Sequence, residues 1–420
     1  MIFRYKLNFL NILLKNNKKI VENYFFMTVL QVLNSLFYLI IYPFLIRTLG
    51  PEGYGLYVFA TSISMYFVTF VSFGFDIPAV KAISLNQNDN SSKSYTLSCV
   101  FTAKMYLELL ALIVYVILIS CIPTLRNNWI IYLICFINTL TGIFLPTWYF
   151  QGIQKMRIVT FIQLGFKLLS LPFLFIFIKK SSDIWLFALI ANCTNFCGAI
   201  VAFYIILWVQ KIRIKWISLI ELKPWMKDAL PFFWTVAAGT IKGQSIAIIT
   251  GIYFNMSDVA VYDLAYKIIS IPSTLVTSIN GALFPKLILK LDSIKIKRVI
   301  RYESIIGLIA IACITIFGKW IVQFLGGNKM LFAYPMASVL SITIYSWLIV
   351  GAYINFVFVP QKLFYYITKN QLVALVSFFI YFVIGVMFFN NVILLVIALS
   401  LSSLTEVFYC KYVIKKKSLL

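Results

Sequence analysis

The sequence predicts an all-α membrane protein of about 12 transmembrane helices, six in each half of the chain, with both termini cytoplasmic. Three observations carry that expectation: the composition, the number of apolar runs, and the side of the membrane on which positive charge falls. Of 420 residues, 62% are hydrophobic and 12% charged, with a mean hydropathy of +0.95. A soluble globular chain carries about 45–50% apolar and about 25% charged residues, so this much apolar surface has to face lipid. A helical span takes about 20 residues, and the gaps between apolar runs leave no room for a soluble catalytic domain.

The elements follow in order. Residues 1–20 carry a short amphipathic run, Leu7, Leu10 and Leu14 beside Lys6 and Lys15. It lacks a signal peptide's apolar core and cleavage site, and is expected to lie on the inner surface. Apolar runs then fall near 23–46, 54–78, 95–120, 129–150, 157–178 and 184–209, which make an N-lobe over 21–210. A basic linker, 211–228, precedes runs near 229–254, 258–284, 302–324, 331–358, 371–389 and 391–413, a C-lobe over 229–414 closed by a basic tail, 415–420.

Charge tests the count. With the N-terminus inside, 26 of the 36 Lys and Arg fall in cytoplasmic segments, six in outer loops and four within spans. That bias satisfies the positive-inside rule for an even number of spans. Most of the net charge of +23 is therefore topological, drawn to anionic lipid, and no nucleic-acid partner is expected. Two six-span halves also suggest an internal repeat. Gly55-Leu56-Tyr57-Val58-Phe59-Ala60 and Ala260-Val261-Tyr262-Asp263-Leu264-Ala265 share a small-x-Tyr-x-x-Ala pattern at matching places, each following an acidic residue, Glu52 or Asp258.

The chain has no His, the commonest general base and metal ligand, and its seven Cys sit mostly in apolar runs as small hydrophobes. No metal site and no cofactor is expected. Function is sought instead in charges at membrane depth, which are costly and face a partner or a cavity. Lys104 and Glu108 lie i,i+4 in the third span, and Asp263 and Lys267 i,i+4 in the eighth; such spacing allows local ion pairing. Lys167 and Lys242 have no sequence-local partner and are expected to face a cavity. Four lysines against two acids make that interior positive, suited to an anionic cargo. Glu108 and Asp263, read as the only carboxylates near mid-membrane, are the candidates for H+ or Na+ coupling. Asp76 is expected as a helix-end cap or a gate ion pair. Gly239 and Gly243 form a GxxxG, expected at a close helix contact or a thin wall beside Lys242. Pro43, Pro146, Pro172, Pro272 and Pro335 are expected to bend their helices. Aromatic residues reach 17%; interfacial belts account for most, and some could stack on sugar rings.

The run Tyr42-Pro43-Phe44-Leu45-Ile46-Arg47-Thr48-Leu49-Gly50-Pro51-Glu52-Gly53-Tyr54-Gly55-Leu56-Tyr57 resembles the first outer loop of bacterial polysaccharide transporters. These are the O-antigen flippases of the multidrug/oligosaccharidyl-lipid/polysaccharide (MOP) exporter superfamily. Phe73-Gly74-Phe75-Asp76 and Pro146-Thr147-Trp148-Tyr149-Phe150-Gln151-Gly152 fit the same family. The resemblance implies two six-helix lobes around a central cavity, open to one side at a time, and a flippase, not an enzyme. Its cargo would be undecaprenyl-pyrophosphate-linked O-antigen or a related repeat unit, carried from the cytoplasmic to the periplasmic leaflet of the inner membrane by alternating access. It also implies membrane lipids, a polysaccharide polymerase and a chain-length regulator as partners. Lys104, Lys167, Lys242 and Lys267 would attract the pyrophosphate, since an anion desolvated at mid-membrane needs counter-charge. Arg47 and Asp76 would be gate candidates at opposite ends. A lipid II flippase shares this chemistry. A drug/cation antiporter would carry more cavity acid than base. A membrane glycosyl polymerase or ligase would show a large outer loop, and every outer loop here is short.

Overall fold

The computed structural model describes residues 18–288, 293–388 and 391–420, and every regular element among the described residues is helical. The expected interfacial N-terminus lies almost wholly outside them. Fourteen α-helices set the frame: α1 (Lys18–Ser72), α2 (Asp76–Leu85), α3 (Asn90–Cys121), α4 (Pro123–Arg126), α5 (Trp129–Phe144), α6 (Thr147–Gly152) and α7 (Met156–Phe177), followed by α8 (Ile184–Tyr204), α9 (Leu219–Tyr253), α10 (Met256–Ile288), α11 (Ser293–Gly326), α12 (Ala333–Tyr353), α13 (Phe364–Val386) and α14 (Ile393–Lys417). Ten helices among the described residues are long and apolar enough to cross a membrane. One of these, Phe25–Ser72, runs to 48 residues, about 72 Å at 1.5 Å per residue, more than twice the hydrocarbon thickness of about 30 Å. Gly50 breaks it with φ 75° and ψ 164°. Pro51 then opens the second segment, where its missing N–H costs nothing.

The second apolar run ends earlier than its hydropathy suggests. Its helix stops at Ser72, because Phe73 and Gly74 both take positive φ. At Gly74 only glycine fits: a Cβ would stand 2.5 Å from the Phe233 backbone nitrogen. The fourth run breaks at Leu145–Pro146, since Pro146 brings no N–H to continue the helix. Pro43, by contrast, sits within the first segment of α1, before the Gly50 break, and Pro172 sits within α7.

The second segment of α1 packs on α9 along its whole length. Gly55 abuts the Met256 carbonyl just beyond α9, Gly251 abuts the Phe59 ring, and Gly74 meets Ala229 and Phe233 at the opposite end. Between them Tyr66 and Ser245 hydroxyls lie 3.0 Å apart, and those of Thr69 and Thr240 2.9 Å. Residues 211–218, the first part of the expected 211–228 linker, are laid on α3, and the rest of that linker is the start of α9. The backbone N–H groups of Arg213, Lys215 and Ile217 donate to Ser94 Oγ (3.3 Å), Ser98 Oγ (2.9 Å) and Thr102 Oγ1 (3.4 Å).

One backbone motif recurs at a fixed offset. Lys155 N–H donates to Phe150 O at 2.8 Å, Gln154 N–H to Gln151 O and Ile158 N–H to Lys155 O. Leu363 N–H donates to Phe358 O, also at 2.8 Å, Lys362 N–H to Val359 O and Tyr366 N–H to Leu363 O, each 208 residues on. A left-handed residue, Gln154 (φ 56°) or Lys362 (φ 58°), sits inside each turn. The turn is the Schellman closure of a helix C-terminus.

Candidate functional site

Tyrosines placed by helical spacing build the centre of the molecule. Tyr38 and Tyr42 lie i,i+4 on α1, Tyr54 and Tyr57 i,i+3 just past the Gly50 break, and Tyr262 and Tyr266 i,i+4 on α10. Each pair shares a helix face, and the three faces converge on a cavity of about 450 Å³ between α1, α9 and α10. Lys267 projects into it. Its ammonium lies 4.8, 5.4 and 5.2 Å from the ring centres of Tyr38, Tyr42 and Tyr54, an attraction of about 2 kcal/mol or more for a desolvated cation. It also donates to Asp263 and to the Tyr54 hydroxyl, which in turn donates to Asp263 Oδ2 at 2.9 Å.

Two further polar cavities continue from the first. One of about 370 Å³ shares Tyr38, Tyr57, Thr61 and Met65 with it and reaches Lys104 and Asp76. Another, of about 230 Å³, shares Asn34 with the tyrosine cavity, and Asn138 and Asn195 with the second. It ends at Lys167, whose ammonium donates to Asn34 Oδ1 at 2.7 Å and lies 5.3 and 5.0 Å from the Phe37 and Tyr38 rings. On the membrane side, an apolar crevice of about 870 Å³ between α1, α10 and α11 shares Leu39, Ile271 and Leu325 with the tyrosine cavity. Ile40, Trp320 and Phe324 in its wall are exposed.

Three of the four candidate lysines therefore line connected polar space, and Lys242 does not. Its side chain is buried against Glu406 of α14, while its neighbours Gly243 and Gln244 form cavity wall. The GxxxG accordingly makes no close helix contact: a Cβ at Gly243 would meet nothing within 4 Å, and one at Gly239 only Gln371 Oε1 at 3.8 Å.

The expected charge balance also changes. Lys104 bonds not Glu108 but Asp76 Oδ1, at 3.1 Å. Glu108 accepts from the Thr139 hydroxyl at 2.6 Å. Asp263 pairs with Lys267 as the i,i+4 spacing allows. Glu406, 3% exposed, adds a buried carboxylate that the sequence reading passed over. Three lysines are thus neutralised by acids. Only Lys167, among these four, faces no carboxylate within ion-pair distance among the described residues. Asp76 opens α2, where the helix N-terminus favours a negative charge. Arg47 is exposed next to the Gly50 break and makes no ion pair among the described residues.

The chain has counterparts among known proteins in sequence and in fold. The family model described as polysaccharide biosynthesis protein matches residues 20–288. The chain belongs to that family. Among curated members of similar sequence, a protein of Escherichia coli (strain K12) named "Putative O-antigen transporter" is 26% identical over 307 residues, 72% of each chain. One of the same name from Shigella dysenteriae is 23% identical over 258 residues, 60% of this chain and 64% of that one. The fold of this polysaccharide biosynthesis family member is also that of solved transporters. The lipid II flippase MurJ in an inward closed conformation superposes with a TM-score of 0.69 at 13% identity, over 94% of this chain and 87% of its own. An inward-facing multidrug resistance MATE transporter of the MOP superfamily gives 0.60 at 11% identity, over 91% and 98%. The family member is a multi-pass membrane protein whose relatives and neighbours are transporters and flippases, not enzymes.

Proposed function

We propose that this protein flips undecaprenyl-pyrophosphate-linked repeat units of O-antigen or a related surface polysaccharide, moving them from the cytoplasmic to the periplasmic leaflet of the bacterial inner membrane by alternating access. The observation that carries the reading is the union of two unlike spaces. A polar, lysine-bearing cavity shares Leu39, Ile271 and Leu325 with an apolar crevice, and the crevice wall is exposed at Ile40, Trp320 and Phe324 on helices apolar enough to cross a membrane. A cargo with a charged head and a long hydrocarbon tail fits both at once. Counting Phe25–Ser72 as two crossings either side of Gly50, and adding α10, gives twelve crossings, which the proposal arranges as two six-helix lobes with both termini cytoplasmic.

Lys267 is the residue we assign to the pyrophosphate, because its cavity adjoins the crevice and the pyrophosphate is bonded directly to the tail. Asp263 and the cargo then compete for one ammonium. A proton or Na+ on Asp263 weakens its hold on Lys267 and frees that charge for the anion; loss of the ion restores the internal pair and expels the cargo. Coupling of this kind belongs to Asp263, which pairs with the cavity lysine, rather than to Glu108, which lines none of the three polar cavities and pairs with no lysine among the described residues. Repeat units delivered outside would pass to a polymerase and its chain-length regulator.

The test is deletion of the gene in its native host, with analysis of surface polysaccharide and of the undecaprenyl-linked pool. Loss of surface glycan, with complete repeat units held on the inner leaflet, is the expected result. Unchanged glycan would overturn the reading, and accumulation of cell-wall precursor in place of repeat units would transfer it to lipid II.

A further inference from the structure

The polar space beyond Tyr38 carries more recognition chemistry than a pyrophosphate requires. Asn34 on α1, Asn138 and Thr141 on α5, Gln163 and Lys167 on α7 and Asn195 on α8 all line one pocket. Four different helices, three of them following α1, each present a carboxamide there, although every one of those helices lies in an apolar run. Burying an amide in a span without a partner is unfavourable. Yet the side chains of Asn138, Gln163 and Asn195 make no hydrogen bond to any described residue. Their donors and acceptors point into the cavity unspent. Elsewhere in the same helices polar groups are satisfied locally: Asn192 Nδ2 donates to Ala188 O at 2.7 Å, and Thr160 Oγ1 donates to Met156 O at 3.0 Å.

Lys167 stands at the end of this pocket. An ammonium has three donors; one goes to Asn34 Oδ1, and no acid lines the pocket. The uncompensated positive charge selects for an anion, and the ring of amides selects for a ligand rich in hydroxyl or acetamido groups. The anion is not the pyrophosphate. The pyrophosphate is bonded to the hydrocarbon tail, and only the tyrosine cavity adjoins the apolar crevice; the Lys167 pocket shares no lining residue with that crevice. Resting on the flippase reading above, we infer that the Lys167 pocket is a glycan-specificity subsite that takes a sugar residue bearing an anionic group, a hexuronic acid in chemical class. Lys167 pairs with the carboxylate while Asn138, Gln163 and Asn195 bind its hydroxyls.

Thermal unfolding of the full-length protein in lipid nanodiscs tests this, titrated separately with glucuronate, glucose and inorganic pyrophosphate. Glucuronate is expected to raise the midpoint in the parent protein and glucose to leave it in place. Lys167→Gln should raise the half-saturating glucuronate concentration about tenfold, the loss of one charge-assisted bond, and Lys167→Arg should recover part of it. Pyrophosphate should protect the parent and Lys167→Gln alike but fail with Lys267→Gln. Asn138→Ala/Asn195→Ala, which keeps Lys167, should weaken glucuronate alone. Protection by pyrophosphate that is lost in Lys167→Gln and kept in Lys267→Gln would make Lys167 the pyrophosphate anchor, overturning the subsite and leaving the flippase reading intact. Equal protection by glucose and glucuronate would overturn the acidic-sugar assignment. No protection by any of the three would remove both readings together.

Discussion

Neutralising Lys242 should unfold this protein rather than merely silence it. The lysine is 8% and Glu406 3% exposed, and each is the other's ion-pair partner across 164 residues of sequence. Lys242→Met removes the ammonium and leaves Glu406 charged and buried with no counter-ion, a loss of about 3–5 kcal/mol for breaking one side of a buried pair. That is roughly a hundredfold to a few thousandfold in the folding equilibrium. Lys242→Met/Glu406→Leu removes both charges, and such replacements are often neutral or stabilising. The assay is the unfolding midpoint of purified protein in one detergent, with membrane abundance measured in the same cells. The single variant should fall in both and the double variant recover both. Lys104→Met is the internal contrast, because its partner Asp76 has a half-exposed side chain that water can solvate once the lysine is gone. A stable, abundant Lys242→Met protein that transports nothing would refute this reasoning and return Lys242 to the cavity. A double variant as unstable as the single would show that the damage comes from packing rather than from the orphaned charge.

Other outcomes follow from the same geometry. Gly55→Ala drives a Cβ into the Met256 carbonyl and should destabilise by about 1–3 kcal/mol, read as a lower unfolding midpoint; an unchanged midpoint would mean that α1 and the start of α10 separate readily. Asp263→Asn cannot neutralise Lys267 or exchange a proton, so surface polysaccharide should fall sharply at normal protein abundance, and wild-type output would remove Asp263 from the coupling step. Asp89 caps α3 by accepting from the Ser91 backbone and hydroxyl at 2.9 and 2.8 Å, and those bonds hold its carboxyl below the usual aspartate range. Its folded pKa is lowered, so its contribution is fully present above the unfolded value of about 3.9. It fades as pH falls through the lower folded value. Asp89→Asn, which still caps, should flatten the acid limb of a stability–pH curve.

The all-helical frame was legible because apolar runs and the sidedness of Lys and Arg are local, additive signals. The cavity was only partly so. Helical spacing alone placed Asp263 beside Lys267, and it equally suggested Lys104 with Glu108, but a tertiary partner took each of those side chains: Asp76 bonds the lysine and Thr139 the carboxylate. Glu406 gives no local signal, because it sits in the last span with its lysine 164 residues away. The amides were missed because attention to charges in spans skips neutral polar residues. Asn138, Gln163, Asn192 and Asn195 all lie inside apolar runs, and each carries the same question that a buried lysine does.

The strap of the linker on α3 has a mechanical consequence. Alternate residues of an extended chain are about 6.6 Å apart, and residues four apart on a helix about 6.0 Å. Arg213, Lys215 and Ile217 therefore step in near register with Ser94, Ser98 and Thr102, and Trp216 Nε1 adds a bond to Tyr106 on the next turn at 2.7 Å. The connection behaves as a batten nailed to α3, not as slack rope. Under the proposed alternating access, a swing of α9 relative to α3 would be concentrated at the peptide units around Ser218, whose hydroxyl donates to Glu221 at the foot of α9. A joint this short can pivot but cannot lengthen, so the two sides of the cavity can tilt about that point without drifting apart.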